Sequence, residues 1–347
     1  MTHRLILCKR RLLCVHKTTI KPNIDSPPVL ATNTWDYVDL ELKRRNESKA
    51  RFYWKQARSF YNASLTLPKE SSPLTLYYCF LNATKALLES KKINYATHHG
   101  VTGYSEKNKT TLDNERIFLK KEGILPSLIK YLEYPIKENG SKKFSLMECF
   151  YKLPFIHRSF LLTYNSSKYP ELFIPIFNPI IGMHLKERKV WFCAELDEYY
   201  SDAHVLNKLP TSFERDKGYS DRVVIRSKKR VKWGKTWTEK KNTFYAYNKK
   251  IRKHIFYIHG TPISWYIKRR KDNIEHYNEY PPLVLTFAAM HRLSELSRYT
   301  PDKLSKHFSG KQNWLLSEFL KSAPVQFMDE IASEITGLEF KVPKNAI

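Results

Sequence analysis

Glycine is scarce in this chain, with ten among 347 residues. Glycine-rich loops let backbone N–H groups approach phosphates, and none of the usual forms occurs: no G-x-G-x-x-G, no G-x-x-x-x-G-K-[ST], no G-x-S-x-G. Dinucleotide enzymes, P-loop NTPases and serine hydrolases of the usual kinds are thereby excluded. Cysteine is sparse too. Cys8, Cys14, Cys79, Cys149 and Cys193 are odd in number, scattered and never spaced C-x-x-C. A cysteine zinc site is not expected, and a reducing cytoplasm is the natural setting. Long apolar runs are missing. No segment approaches the roughly 20 apolar residues that span a bilayer, and the patches "LILC" and "LLCV" fall short of the roughly 7 residues of a signal-peptide core. The last shortage is of acids: 34 Asp and Glu stand against 60 Lys and Arg.

The resulting net charge of +26 attracts polyanions. Nucleic acid is the first candidate partner, an anionic membrane surface the second, and an acidic protein a third. A lysine-rich bias without any specific partner is the bland reading. With 42% hydrophobic and 14% aromatic residues the chain has the material for a buried core.

Residues 1–34 read as a basic arm and linker, punctuated by Pro22, Pro27 and Pro28; a first strand before the linker fits the same residues. Between Leu40 and Leu65 there is no Gly or Pro. Tyr53, Ala57, Phe60, Tyr61 and Ser64 recur there at helical spacing, which predicts one helix. Ser72-Pro73 predicts the start of its antiparallel partner, with Leu76, Phe80, Ala83, Leu87 and Leu88 on one face. Residues 93–114 are expected to form a loop between helices. "FSLMECFYKLPFIHRSFLLTY" is helical in pattern with a break at Pro154. From about Met183 the period shortens. "RKVWFCAEL", "RVVIRSKKRVKW", "NTFYAYN", "KHIFYIHG" and "ISWYIKRR" predict antiparallel strands. Helical spacing returns in "PPLVLTFAAMHRLSELSRY", "NWLLSEFLKSAP" and "QFMDEIASEI". The expected fold is α+β: a helical region at 35–182, an antiparallel strand-rich basic region at 183–270, and C-terminal helices at 271–347 that pack back on the helical region.

The strand-rich region carries the strongest functional signal. Lys208 to Lys271 holds 20 Lys and Arg against four acids. Arg226, Lys228, Lys229, Arg230 and Lys232 form one cluster. Lys249, Lys250, Arg252 and Lys253 form a second, and Lys268, Arg269, Arg270 and Lys271 a third. Trp233, Trp237, Phe244, Tyr245, Tyr247, Phe256, Tyr257, Trp265 and Tyr266 are interleaved. Cations hold phosphates, and exposed rings stack on unpaired bases. In the bland reading the strands bury their rings and the charges solvate the other face.

"HHGVTGY", His98 to Tyr104, has the look of a site. Adjacent histidines seldom share one metal, however, and the nearest carboxylates, Glu89, Glu106 and Asp113, have no ligand spacing. Gly100 and Gly103 would permit positive-φ turns that aim N–H groups at a phosphate, with Lys107 and Lys109 alongside. The favoured reading is a histidine that ties the loop to a helix end. Glu195, Asp197, Glu198, Asp202 and His204 would hold a divalent cation or, more commonly, pair with lysines. Asp221 with Glu239 and Lys241 has the loose D…E-x-K form of some metal nucleases. No metal site and no cofactor is assigned.

Arg270 and His276, in "RRKDNIEH", resemble the R-x(4–6)-H element of HEPN ribonucleases, and the paired helices at 40–90 are similar to that family's in length and texture. That resemblance implies metal-independent cleavage at the RNA 2′-OH, assisted by Arg270 and His276. "LTLYYCFLNATKALLES", "HGVTGYSEKNKTTLDNERIFLKKEGILPSL" and "LSELSRYTPDKL…NWLLSEFL" together resemble the YaaC-like family of bacterial proteins. "LMECFYKLPFIHRSFLLTY" is similar to that family's helix before the strand region. These pieces run in order over 50–335, and His99, Gly100, Arg298, Tyr299 and Pro301 fall on family-like positions. The resemblance implies a bacterial, cytosolic protein and brings no catalytic residue with it; a toxin or phage-defence setting comes from the HEPN likeness. Three functions follow: a cytoplasmic nucleic-acid binder acting through the basic strand region, a HEPN-like ribonuclease, and a scaffold subunit whose charge docks an acidic protein.

Overall fold

The structure is a computed structural model that describes residues 3–8, 11–136, 143–164, 168–184, 186–260, 265–270 and 280–341. The fold is α+β, as expected. The chain divides into two compact units. A strand unit gathers Met1–Leu30, Glu171–Tyr277 and Gly337–Lys344, and a helical unit gathers Ala31–Pro170, Asn278–Thr336 and Asn345–Ile347.

The helical unit is built around the helix Ser72–Ser90, which opens on Pro73 and is buried along most of its length. The helices Ser48–Ser64, Pro282–Tyr299 and Asn313–Thr336 surround it. Phe80 stacks on Phe327 with ring centroids 4.1 Å apart, and Tyr77 meets Phe287 edge-on at 5.7 Å. Such pairs add specificity to the burial of apolar area, which is the main driving force.

The single helix expected from Leu40 to Leu65 is in fact two, Thr34–Arg44 and Ser48–Ser64. The break is at Asn46, whose φ of 56° is a left-handed conformation that asparagine tolerates better than most residues. Its amide donates to the Lys43 carbonyl at 3.1 Å and so closes the first helix. Arg51 then clamps Asp39 with two hydrogen bonds of 2.9 and 3.0 Å, and the Trp54 indole donates to the Trp35 carbonyl at 2.9 Å. These contacts fold the two helices together.

The expected loop at 93–114 contains the strand Val101–Ser105. It pairs antiparallel with Glu115–Leu119, which pairs in turn with Lys143–Ser145. Five residues long and interrupted by Gly103, that strand is too short to register as period 2 in the sequence.

The strand unit holds an antiparallel sheet in the order Phe213–Arg215, Val224–Ser227, Lys189–Leu196, Phe173–His184, Trp265–Lys268, Ile255–Tyr257. His3–Leu5 adds to the long Phe173–His184 strand, and Val231–Lys232 adds to Lys189–Leu196. One face is covered by the helix Trp237–Ile251. Its Phe244, Tyr247 and Ile251 pack with Phe192, Ile225 and Ile267 of the sheet. "NTFYAYN", expected as a strand, is therefore the middle of a helix. Aromatic content favoured the strand reading. The overlooked signal is the capping box: Thr236 accepts from the Glu239 N–H at 3.2 Å, and the Glu239 carboxylate accepts from the Thr236 N–H at 3.2 Å.

Candidate functional site

In the helical unit, polar side chains converge behind "HHGVTGY". Glu115 begins the middle strand and has no solvent exposure. The Arg292 guanidinium donates to its Oε2 from Nη2 at 2.6 Å and from Nε at 3.2 Å, and the Ser105 hydroxyl donates to the same oxygen at 2.8 Å. On Oε1, the Lys303 ammonium lies at 3.2 Å and His307 Nε2 at 3.4 Å. Burial alone would raise the Glu115 pKa, but hydrogen bonds from His307 and Arg292 outweigh it and hold the carboxyl at about 2.

Arg292 also joins a second acid. Its Nη1 donates to Glu295 Oε2 at 2.9 Å, while Glu295 Oε1 accepts the Gly103 N–H at 3.1 Å and the Thr102 hydroxyl at 3.4 Å. Gly103 is glycine because a Cβ there would run into the Arg292 Cδ. Gly103 lies in extended strand and not in the positive-φ turn the sequence reading allows, and its N–H faces the Glu295 carboxylate in place of a phosphate. Burial pushes the Glu295 pKa upward, with Arg292 opposing.

His291 precedes Arg292 on the same helix and is also buried. Its ring meets Tyr77 edge-on at 4.8 Å and lies 5.7 Å from the His99 ring. Its Nδ1 is buried without a hydrogen-bond partner among the described residues, 3.8 Å from Glu295 Oε1. Burial drives the His291 pKa down to about 3, and nearby His99, Arg292 and Lys120 push the same way. Burial also holds the Tyr77 phenol well above its ordinary value. The Tyr77 hydroxyl hydrogen-bonds His99 Nδ1. His99 keeps a solvent-exposed edge. Partial burial lowers its pKa first, and Lys85, His98, Lys120 and Arg298 add to the effect. Arg298, distant in sequence, thus lies within electrostatic reach of His99.

The backbone of the motif does a separate job. Gly100 adopts φ 76°, and the His98 and His99 carbonyls accept the Ile124 and Leu125 N–H groups at 2.9 and 3.1 Å. These are first-turn donors of the helix Ile124–Tyr131, which have no partner within that helix. The expected tie between histidine and helix is present, at an N-terminus and through main-chain oxygens. Pro301 opens the helix Pro301–Ser309, which delivers Lys303 and His307 to Glu115. Tyr299 is exposed, with the Arg298 guanidinium 5.0 Å from its ring centroid.

In the strand unit the predicted cations fall into two groups. Arg226 donates to Glu214 at 2.9 Å and contacts Asp216 at 3.4 Å; Arg230 lies over the Trp191 ring at 4.8 Å. Arg252 donates to the Ile255 carbonyl at 2.7 Å and lies 5.2 Å over Trp265. Lys249, Lys268 and Arg269 are half-buried. By contrast Lys228, Lys229, Lys232, Lys250 and Lys253 are exposed. Among the described residues no carboxylate pairs with Lys228, Lys229, Lys232 or Lys250. The clusters are linked. The Lys228 N–H donates to Ser212 O at 2.9 Å, the adjacent Phe213 ring meets His254 at 5.6 Å, and the Lys268 N–H donates to His254 O at 2.9 Å. Most interleaved rings are inside: Trp233, Phe244, Tyr247, Phe256 and Tyr257 are buried, while Trp237 is exposed.

Arg270 is exposed, and its backbone N–H donates to Lys208 O at 2.6 Å. His276 lies outside the described residues. The acidic stretch is structural where it can be followed: Asp197 and Asp202 cap short helices, and Glu195 pairs with Arg222 at 3.1 Å. Glu239 belongs to its capping box and Lys241 pairs with Asp25, which dissolves the D…E-x-K pattern. Among the described residues no three His, Cys, Asp or Glu side chains are grouped to hold a metal, and no helix is long and apolar enough to cross a membrane.

A family model described as YaaC-like Protein matches residues 23–335. The chain belongs to the YaaC-like family. No curated protein and no solved structure matches it. The YaaC-like match begins at residue 23, ahead of the segments that carried the resemblance, and so takes in the helix Thr34–Arg44. Of the family-like residues, His99, Gly100 and Arg298 gather at one locus, and Pro301 sets the helix that completes the Glu115 network. Sequence reasoning missed Tyr77, Glu115, His291, Arg292, Glu295 and His307. One signal was available: "MHRLSEL" sets a histidine, an arginine and a glutamate into an otherwise apolar helix.

Proposed function

We propose that this YaaC-like protein binds nucleic acid through its strand unit, holding the phosphate backbone without reading bases. The observation that carries the proposal is the set of exposed lysines, Lys228, Lys229, Lys232 and Lys250, with no carboxylate partner among the described residues. Lysines of this kind release counterions when they meet phosphates, and affinity then depends steeply on salt. Burial of most aromatic rings argues for phosphate contact over base stacking. The test is fluorescence anisotropy on a labelled duplex and a labelled single strand across a salt series. Four phosphate contacts on duplex predict a slope of log affinity against log salt of about −3 to −4. Changing all four lysines to Gln should flatten it, and affinity indifferent to salt would overturn the proposal. RNA cleavage in EDTA that His276→Ala abolishes would instead assign the ribonuclease role to Arg270 and His276.

A further inference from the structure

A cavity of about 810 Å³ opens within the helical unit, inside the range of roughly 300–1,000 Å³ typical of small-molecule sites. Three lysines line it, Lys168, Lys306 and Lys311. All three are exposed, and no carboxylate pairs with any of them among the described residues. The one acid in the lining, Asp113, is already approached by the Arg116 guanidinium at 3.7 Å. The cavity is therefore electropositive and has no internal counter-charge to spare.

Its walls divide by chemistry. On one side Tyr164, Tyr169 and Met147 form an aromatic and thioether wall. The two rings meet edge-on at 6.2 Å, and the Tyr169 hydroxyl reaches Met147 Sδ at 3.3 Å. Lys311 Nζ lies 4.9 Å over Tyr164 and Lys168 Nζ lies 5.6 Å over Tyr169. Each ammonium rests on a ring face, a weak hold that an anion can displace or share. On the other side Gly310, Lys311 and Gln312 lead directly into the 24-residue helix Asn313–Thr336. That start sets the positive end of a long helix dipole near the lysines, while the Asn313 N–H is taken by the Gly310 carbonyl at 3.1 Å. Thr110 and Thr111, at the end of the polar loop that follows "HHGVTGY", add hydroxyls.

The floor is anchored. Gln312 is buried, and its Nε2 donates to His307 Nδ1 at 2.9 Å. His307 Nε2 faces Glu115 Oε1 at 3.4 Å. The cavity floor is thus tied to the buried Glu115 network, and a floor held in place lowers the ordering cost of binding.

We infer that this cavity is a nucleotide site, with phosphate on Lys168, Lys306 and Lys311 near the start of the Asn313–Thr336 helix and the base against half-buried Tyr169 and Met147, with buried Tyr164 behind them. A bare anion would leave the aromatic wall unused, and an uncharged planar molecule would leave three lysines unmatched. The inference is independent of nucleic-acid binding by the strand unit.

The experiment is isothermal titration calorimetry of the full chain with AMP, GMP, CMP and UMP, and with adenosine and inorganic phosphate as controls. At least one nucleotide should bind at one site per chain, more tightly than adenosine or phosphate. The double variant Lys306→Gln/Lys311→Gln should weaken that nucleotide about tenfold or more, through the loss of two charge-assisted contacts. Its melting temperature should not change, because both side chains are exposed. The variant Lys228→Gln/Lys229→Gln/Lys232→Gln/Lys250→Gln should bind the nucleotide as the parent does. The inference is overturned by absence of binding for all four nucleotides, by phosphate matching the best nucleotide, or by a double variant that binds unchanged.

Discussion

In the helical unit Glu115 has no solvent exposure and meets Arg292, Lys303 and His307, while Lys228, Lys229, Lys232 and Lys250 of the strand unit stand in water and meet no carboxylate among the described residues. The contrast separates two uses of charge. A buried carboxylate is tolerable only when hydrogen bonds and opposite charges replace its water, so each member of the Glu115 network depends on the others. An exposed lysine keeps its water and contributes little to stability. Charges of the first kind specify a fold, and charges of the second kind are available to a partner.

The largest effect expected from breaking this contrast is on Glu115. Glu115→Ala strands Arg292 and Lys303 without their counter-charge and should cost about 3–5 kcal/mol in urea unfolding. A loss below about 1 kcal/mol would place the pair among ordinary surface ion pairs.

Next is Gly103→Ala, which sets a methyl group against the Arg292 side chain where the backbone is already close. A loss of about 1–3 kcal/mol is expected from such overpacking, read by thermal melting. Unchanged stability would mean that Arg292 is not held in place.

Acid should separate the units more gently. His291 is neutral when folded and titrates near 3, against about 6.5 when unfolded. The unfolded chain then binds more protons across that window, so stability falls as pH drops from about 6.5 toward 3. Glu115, held at about 2, contributes stability above the ordinary glutamate range that is lost as pH falls toward 2. Glu295, raised by burial, works in the opposite sense. His99, Tyr77, Arg292, Lys120 and Glu295 face His291 and are kept in His291→Gln, which should flatten the upper part of the profile. A profile identical to the parent's would remove His291 from the account.

The smallest stability effect belongs to the four exposed lysines. Replacing them together with Gln should change unfolding by no more than about 0.5 kcal/mol per site while it weakens polyanion binding. A large loss of stability would show that they are structural after all and would close the contrast from the other side.

Much of the architecture was legible in the chain. The apolar spacing of Leu76, Phe80, Ala83 and Leu87 reports a helix because local backbone geometry fixes which side chains share a face. Asn46 was harder, since an asparagine inside a helical run is compatible with both continuation and a stop; only Arg51 on Asp39 and Trp54 on Trp35 show that the chain doubles back. "NTFYAYN" misled because aromatic residues suit a pleated surface and a helix face alike, and burial against the sheet decided between them. "HHGVTGY" invited attention to His99, yet Glu115, which the fold buries completely, was silent in the sequence, and His291 showed only through "MHRLSEL". A lone glutamate in "DNERIFL" carries no periodic mark.

By itself the sequence determined the α+β class, the positions of most helices and the placement of excess positive charge between Lys208 and Lys271. These follow from composition and from short-range periodicity, which every residue expresses with its neighbours. Tertiary structure alone decided that Glu115 would meet Arg292, 177 positions away, and which lysines would be left without an acid. It also decided which aromatic rings would be used up in the core, and that Lys168, Lys306 and Lys311 would face one cavity. Partnership between distant residues depends on how elements pack, and no local pattern encodes the distance between two side chains that the fold brings together.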